Sequence, residues 1–270
     1  MFAAATALGV ARLGYFIPVR YVGETLPGYP ALEPALRAAE PAMRAHLGAI
    51  ERHRRALVAI DRAGRPARAP QPRFDQDWFA RLDAAALYAM VRERAPRRIV
   101  EIGSGHSTRF MARAVTDGAL ATRIFAVDPR PRAALAGLGV DHIARPFQDV
   151  TPGELPTLGP GDILFIDSSH VAQPGSDVDR IFAGLLPGLP SGVLVHVHDV
   201  FLPDPYPAAW RRRGYNEQAL VACLIGAGYA PLWSSRWIVT RRDGWLEGSV
   251  IGELPLIAGT PETSLWLEKL

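Results

Sequence analysis

Apolar and polar positions follow two different patterns along this chain, and the first pattern gives way to the second near residue 97. Between about residues 31 and 63, apolar residues recur every three, four or seven positions, as they do on one face of a helix. A further helix is predicted from Asp77 to Arg94, because Pro96 ends the pattern. After residue 97, short runs of Ile, Val, Leu and Phe alternate with helical stretches, which is typical of buried parallel strands joined by helices.

The second half of the chain therefore predicts an α/β fold. Strands are predicted over 98–103, 122–128, 142–147, 162–167 and 192–199, with two edge strands over 230–239 and 264–270. Helices are predicted over 107–117, 131–138, 176–189 and 215–228. This alternation favours a doubly wound, mostly parallel, Rossmann-like sheet with helices on both faces, whose ligands bind at the carboxyl ends of the strands.

The N-terminal part is expected to be a helical extension over residues 1–72, followed by the α/β domain over 73–270. The Pro-rich stretch 63–72 is the best linker candidate. The apolar segment 1–22 is interrupted by two arginines and a proline, so we expect it to pack on the domain or on a second subunit rather than insert stably into a membrane. The extension is a candidate lid or a contact of a homodimer.

Composition excludes some partners. With 270 residues, 49% of them hydrophobic, the chain can bury one substantial core. The pI is about 9.3, but the formal charge is only +3 and the arginines are scattered among acidic residues, so nucleic acid is not an expected partner. A single cysteine, Cys223, excludes an intramolecular disulfide and a cysteine-based metal site, and it fits a cytoplasmic location.

The run Ile-Val-Glu-Ile-Gly-Ser-Gly-His-Ser-Thr-Arg over 99–109 carries the clearest chemical signal. It predicts a strand, a tight glycine turn and the start of a helix, which together present backbone N–H groups to a ligand. Thr108 stands where a dinucleotide-binding loop has its third glycine. Glu101 would repel a pyrophosphate and attract a cationic ligand. S-adenosylmethionine (SAM), with its amino group and sulfonium, is such a ligand.

A second cofactor signal follows at the expected distance. Asp128 ends the second predicted strand, where an acidic residue accepts hydrogen bonds from ribose hydroxyls. On its own, an aspartate at this place is usually a turn or cap residue. The predicted SAM site consists of the loop residues and this carboxylate, namely Glu101, Gly103, Ser104, Gly105, Ser107 and Asp128.

Two Asp–His pairs follow the fourth and fifth predicted strands: Asp167 with His170, and His198 with Asp199. The carboxyl ends of these strands meet at the ligand crevice. Aspartate oxygens suit Mg²⁺, and His198 would let the site accept softer ions. His170 is placed to act as a general base. The alternative interpretation makes the aspartates helix caps and His198 a structural histidine, as is expected of the deeper His196.

These motifs together resemble the class I SAM-dependent methyltransferases, over about residues 75–270. More narrowly, they resemble the metal-dependent sugar O-methyltransferases of the macrocin and mycinamicin type. The resemblance implies that Asp167 and Asp199 bind the metal, that Asp167 also lies close to the cofactor, and that His170 removes the acceptor's proton. Where this chain has His198, that group has an acidic residue. The resemblance also implies that Asp149 meets the adenine amino group, although a cap is an alternative role.

The expected function is methyl transfer from SAM to a hydroxyl of a small polar acceptor. A divalent metal (Mg²⁺ or Mn²⁺ before Fe²⁺ or Zn²⁺) is predicted at Asp167, His198 and Asp199. N-methyl transfer without a metal and a non-catalytic SAM-binding partner protein remain alternatives. A nicotinamide dehydrogenase is disfavoured by the missing third glycine.

Several aromatic and polar residues have two interpretations. Trp78 is expected to be buried at a helix start, rather than to fold over the ligand. The larger aromatic residues after the fifth strand form either a substrate wall or core packing, with packing favoured; they are Tyr206, Trp210, Tyr215 and Trp237. Glu217 and Gln218 face either the pocket or, in the favoured interpretation, solvent.

Overall fold

The computed structural model describes residues 2–8, 10, 28–60 and 69–270. Most of the predicted apolar segment 1–22 and of the predicted linker 63–72 lies outside these residues. The division at residue 72 and the lid or dimer role of the extension therefore stay predictions.

The described α-helices are α1 (Phe2–Ala7), α2 (Glu33–Ala38), α3 (Glu40–Arg52), α4 (Arg54–Ile60), α5 (Arg81–Arg94), α6 (His106–Asp117), α7 (Asp177–Asp179), α8 (Glu217–Leu224) and α9 (Ser235–Arg241). The strands are β1 (Arg98–Ile102), β2 (Arg123–Val127), β3 (Asp141–Ile143), β4 (Ile163–Ile166), β5 (Leu194–Val197), β6 (Tyr229–Ser234) and β7 (Leu265–Lys269). Helix α7 continues as a π-helical segment, Arg180–Leu185, and a 3-10 turn, Leu186–Gly188. Other 3-10 turns are Pro30–Leu32, Phe147–Asp149, Pro152–Glu154, Ala208–Arg213, Asp243–Leu246 and Val250–Glu253.

The strands form one seven-stranded sheet in the order β3-β2-β1-β4-β5-β7-β6. The pairs among β1 to β5 are parallel, and β7 is antiparallel to both of its neighbours. The predicted doubly wound, mostly parallel Rossmann-like sheet is confirmed. The chain moves to one side of β1 with β2 and to the other with β4, which opens a crevice between the carboxyl ends of β1 and β4.

The central strands are buried because they are apolar on both faces. All residues of β4 and β5 are buried, as expected of parallel strands covered on both sides. The described helices before residue 60 contribute to the same core through Leu36, Met43, Ile50 and Leu57. Helix α3 packs against α5 and β6, so this part of the extension is packed on the domain.

Four predicted elements differ from the structure. No helix forms over 131–138, where Pro129 and Pro131 remove backbone donors. The helix predicted over 176–189 breaks into three short helical types. The strand predicted over 230–239 stops at Ser234, because its hydroxyl accepts a hydrogen bond from Trp237 N at 3.1 Å and begins α9. The last strand lies inside the sheet rather than at its edge.

None of the helices within the described part of the chain has both the length and the apolar character to cross a membrane.

Candidate active site

A cavity of about 1230 Å³ lies at the carboxyl ends of the parallel strands. Single-ligand pockets usually measure about 300–1,000 Å³, so this one has room for a nucleotide-sized cofactor and a small second ligand. None of the described residues 28–60 lines it. The cavity is bounded at one end by the glycine turn after β1 and at the other by the loops that follow β4 and β5.

The glycine turn requires glycine at its first position. Gly103 has a φ of +79°, and an added Cβ would lie 1.8 Å from the carbonyl oxygen of Asp167. Its backbone N–H donates to Val127 O at 2.9 Å, while Asp167 N donates to Ile102 O at 2.8 Å. The turn is therefore held against β2 and β4 at once. Gly103, Ser104, Gly105 and Ser107 all line the cavity, as predicted.

Glu101 is buried beneath this turn and stabilises it through hydrogen bonds, instead of facing the cavity. Its carboxyl accepts hydrogen bonds of 2.6 Å from the hydroxyls of Ser107 and Thr108, and burial raises its pKa to about 8 despite these two bonds. It is fully buried and does not line the cavity. The prediction that Glu101 directly receives a cationic ligand is not what the structure shows. The hydroxyl of Thr108 also accepts from Gly105 N at 2.9 Å, which explains a threonine in the place of a third glycine.

Asp128 lies at the cavity wall, as predicted. One carboxylate oxygen accepts from Ser104 N at 2.7 Å, and the other accepts from Arg130 N at 2.7 Å. These bonds fix the carboxylate at the tip of β2. Asp149, in contrast, is exposed at the end of a 3-10 turn and does not line the cavity. Its neighbour Gln148 lines the cavity instead, so the structure gives no support to the predicted adenine contact of Asp149.

The two predicted Asp–His pairs meet at the other end of the cavity. His170 Nε2 lies 3.3 Å from Asp167 Oδ1 and 3.6 Å from Asp199 Oδ2. His198 Nδ1 lies 3.6 Å from Asp167 Oδ1 and 3.7 Å from Asp199 Oδ1. All four line the cavity. Each imidazole therefore faces both carboxylates, although the residues come from two different loops.

Two further carboxylates contact the ring nitrogens of the histidines that face away from Asp167 and Asp199. Glu217, at the first turn of α8, accepts from His170 Nδ1 at 2.9 Å and is 1% exposed. Asp83, buried in α5, lies 3.5 Å from His198 Nε2 and also accepts from the backbone N–H groups of Thr263 and Ser264. The bond to Glu217 places a proton on Nδ1 of His170 and directs Nε2 towards the cavity.

The backbone at this end is strained. His170 and Asp199 have φ angles of 61° and 55°, in the left-handed region that side chains other than glycine seldom adopt. The carbonyl oxygen of His170 accepts from the N–H groups of Asn216 and Glu217 at 3.0 and 3.2 Å, so the start of α8 holds this conformation. Strain of this kind clusters at functional sites.

The charges of the cluster are mutually compensated. Burial alone would lower the pKa of His170, but the adjacent carboxylates of Asp167 and Glu217 outweigh it and raise that pKa well above 6.5. The pKa of His198 is likewise raised, against burial, by Asp199 and Asp167. Burial would raise the pKa of Asp167, but the two imidazoles hold it well below its usual value. The adjacent carboxylates therefore favour the protonated form of both histidines.

This arrangement does not fit the predicted divalent metal. Within the described ranges, no group of three or more His, Cys, Asp or Glu side chains is arranged to hold a metal ion. Metal-bound imidazole must be deprotonated at its ligating nitrogen, whereas His198 Nδ1 faces the carboxylates of Asp167 and Asp199 as an ion-pair partner. The metal predicted at Asp167, His198 and Asp199 is not supported.

Some of the other predicted residues line the cavity, and others are buried in the core. Trp78 is 51% exposed and lines the cavity, so the expectation of a buried Trp78 is wrong. Trp210 and Tyr215 line it as well, whereas Trp237 is fully buried elsewhere. His196 is a core residue that stacks on Phe165 and bonds Ser264, as expected.

Glu217 and Gln218 are both 1% exposed, so the favoured solvent-facing interpretation is wrong. Gln218 accepts from Phe201 N at 2.7 Å and donates to Asp204 O at 2.9 Å. It fixes the loop after β5, while Glu217 reaches the site. Asp83 was not predicted, and its only signal is one carboxylate within the apolar run Leu-Asp-Ala-Ala-Ala-Leu.

Comparison with known proteins gives one family match. Residues 100–200 match a family model described as a methyltransferase domain. This stretch contains the glycine turn, Asp128 and all four residues of the Asp–His cluster, but it is less than half of the chain. No curated protein sequence matches the chain.

Solved structures of similar fold include two methyltransferases. One is the SAH-bound PaMTH1 of Podospora anserina, with 18% identity over 92% of this chain and 100% of that chain, at a TM-score of 0.42. The other is the O-methyltransferase TomG of Streptomyces achromogenes, in complex with SAM, with 20% identity over 82% of this chain and 89% of that chain, at a TM-score of 0.43. Similarities this loose say nothing about the substrate or mechanism of this chain.

Proposed function

We propose that this protein is a SAM-dependent methyltransferase that transfers a methyl group to a hydroxyl of a small polar acceptor. The observation that carries the proposal is a single cavity with two unlike ends. A glycine turn with the Asp128 carboxylate bounds one end, and His170, whose Nδ1 is hydrogen-bonded to Glu217, bounds the other. The match of residues 100–200 to a methyltransferase domain supports it.

The cofactor is proposed to lie along the glycine turn. Asp128 would accept hydrogen bonds from the ribose hydroxyls, and the backbone at Gly103, Ser104 and Gly105 would pass close to the amino-acid part. Asp167 has 34% of its side chain exposed at the cavity. A carboxylate in this position favours a ligand with cationic groups, such as the sulfonium and amino group of SAM.

The reaction proposed is an in-line displacement at the methyl carbon. The acceptor oxygen forms a bond to that carbon while the carbon–sulfur bond breaks. The electron pair of the carbon–sulfur bond stays on sulfur, which gives S-adenosylhomocysteine (SAH). The hydroxyl proton passes to His170 Nε2, because Nδ1 is held by Glu217. Positioning of the two reactants in the cavity provides much of the rate.

His170 must be neutral before it can accept this proton. Its Nε2 lies 3.3 Å from Asp167 Oδ1 and 3.6 Å from Asp199 Oδ2, and these carboxylates favour its imidazolium form. A bound SAM brings a positive charge to the same carboxylates, which weakens their hold on the proton of His170. We therefore propose that SAM binding releases the Nε2 proton and leaves that nitrogen free for the acceptor hydroxyl. No step passes through a metal ion, since the donor set does not fit one.

The proposal is tested by turnover. The purified protein is incubated with SAM and a panel of hydroxylated and aminated small molecules, and SAH is quantified by mass spectrometry. We expect SAH to form with a hydroxyl acceptor and the methyl group to be recovered on its oxygen. Methyl groups found on nitrogen alone would favour the N-methyltransferase alternative, and SAM binding without turnover of any acceptor would favour a binding protein.

A further inference from the structure

The acceptor end of the cavity carries one cationic side chain that the methyl-transfer step does not use. Arg213 lines the cavity together with Trp210 and Tyr215. Its guanidinium carbon lies 3.7 Å from the centre of the Trp210 ring and 5.5 Å from that of Tyr215. The Tyr215 ring in turn lies 4.5 Å from the ring of His170. Arg213 is therefore separated from His170 by one aromatic side chain.

Local sequence explains how Arg213 is held. Residues Ala208–Arg213 form a 3-10 turn, in which side chains three positions apart lie one above the other, so Arg213 stacks on Trp210. Gly214 follows with a φ of +71°, a conformation that costs glycine little. The turn at Gly214 brings Tyr215 back against the same Trp210 ring, at 5.7 Å between ring centres. The sequence Trp-Arg-Arg-Arg-Gly-Tyr thus fixes the position of one guanidinium.

Arg213 has no acidic partner among the described residues, whereas nearby arginines do. Arg236 and Arg241 both bind the carboxylate of Asp204, at 2.7 Å and 2.6 Å. The contacts of Arg213 in the described structure are with the two aromatic rings. Stacking on a ring uses the face of the guanidinium and leaves its N–H edge free for a carboxylate or phosphate. The two rings thus hold the guanidinium of Arg213 in place, but no acidic side chain among the described residues neutralises its charge.

We propose that Arg213 binds an anionic group of the methyl acceptor, so that the preferred acceptors are hydroxyl compounds that carry a carboxylate. This inference rests on the proposed function, because it places the acceptor hydroxyl at His170. A planar carboxylate matches the forked N–H donors of arginine, which can bind it through two parallel hydrogen bonds. The acceptor would span the Tyr215 ring, with its hydroxyl at His170 and its carboxylate at Arg213. Arg213 is then a specificity residue of the acceptor site.

The test compares matched pairs of probes that differ in one carboxylate. The SAH-loaded protein is titrated calorimetrically with 3,4-dihydroxybenzoate and catechol, and separately with glucuronate and glucose. In at least one pair, we expect the acid to bind about 10–100-fold more tightly, the range expected of charge-assisted hydrogen bonds. Arg213→Gln should remove this preference, and Arg213→Lys should keep part of it, because lysine retains the charge but not the fork.

Arg212→Gln is the matched control, because Arg212 lies in the same 3-10 turn but does not line the cavity. It should keep the full preference for the acid. Wild-type protein without a preference in either pair, including absent binding of both members, overturns the proposal, as does an Arg213→Gln variant that keeps the preference. Failure of SAH to bind would instead contradict the proposed function, and this inference with it. Thermal melting of each variant confirms that it is folded.

Discussion

The cofactor end of the cavity is made from one continuous stretch and one carboxylate, whereas the acceptor end takes charged side chains from four separate elements. At the cofactor end, the turn between β1 and α6 presents backbone groups, and Asp128 adds a single charge. At the acceptor end, loops after β4 and β5 supply Asp–His pairs, while α5 and α8 supply Asp83 and Glu217. In the proposed function, the first end would bind the cofactor mainly through backbone groups, whereas the second is a network of titratable side chains.

This difference has a physical consequence. Backbone groups do not titrate, so the contacts of the glycine turn itself should change little with pH. The network at the acceptor end is tightly coupled, because His170 and His198 share Asp167 and Asp199. Removing or adding one charge there should change the protonation of its neighbours. Variants at the cofactor end should therefore act mainly on cofactor affinity, whereas variants in the network should change the rate and its pH dependence.

The largest effect is expected from removing the proton acceptor. His170→Ala should lower kcat by about 10²–10⁴-fold, the usual contribution of a positioned base, without loss of SAM affinity. In the wild type, kcat/KM for SAM should rise with pH through an apparent pKa above 6.5, because kcat/KM reports the protein before SAM binds, in which the pKa of His170 is raised. This rise should be absent in the variant.

His53→Ala is the control for this variant, since His53 pairs with Glu93 on α5 and lies outside the cavity. A His170→Ala protein with normal kcat would assign His170 to loop structure and leave the base unidentified.

The next effect belongs to the cofactor end. Asp128→Ala should weaken SAM binding by about 1.5–3 kcal/mol, since hydrogen bonds to a charged carboxylate are lost. Asp149→Ala, at an exposed position that does not line the cavity, should leave SAM affinity unchanged. Calorimetric titration with SAM measures both. Equal losses in the two variants would place the nucleoside elsewhere.

A smaller but more specific effect is expected at Glu217. Glu217→Gln keeps a hydrogen-bond acceptor beside His170 Nδ1 but removes the charge. Because an adjacent carboxylate typically raises a histidine pKa by about one or more, the apparent pKa of kcat/KM for SAM should fall by about that much. The rate above this pKa should drop by about tenfold or less, since the base itself remains.

The same substitution at the exposed Glu253, which pairs with Arg54 away from the cavity, should leave the pH profile unchanged. An unshifted profile for Glu217→Gln would mean that Glu217 is merely structural.

The smallest effect is expected from metal removal. The donor set of the acceptor end does not fit a divalent ion, so activity should be unchanged after exhaustive dialysis against EDTA. Loss of activity that Mg²⁺ or Mn²⁺ restores would reinstate Asp167, His198 and Asp199 as ligands, and would require the imidazole of His198 to turn towards the ion.

The same contrast explains how much could be predicted from the sequence. The sheet and the glycine turn were predictable because apolar strands and a Gly-x-Gly turn are local signals. The four residues of the Asp–His cluster were also predictable, because strand ends converge. The partners of the histidines were not: Asp83 and Glu217 lie in helices far along the chain, and only packing reveals that they face His198 and His170.

For Glu101, the sequence predicted a ligand contact that the structure does not show. Its position in the motif suggested a ligand contact, but a residue within β1 is buried below the turn. There its carboxyl binds Ser107 and Thr108 in the first turn of α6. The sequence indicated the correct loop and the wrong face of it, because the side-chain direction in a strand changes with every residue.

A structure of the protein with bound SAH tests the central claim most directly. We expect the ribose hydroxyls within hydrogen-bonding distance of the Asp128 carboxylate and the sulfur directed towards Asp167 and His170, with open space beside His170 Nε2 and Tyr215 for the acceptor. SAH bound with its ribose away from Asp128, or with its sulfur turned away from His170, would contradict the account.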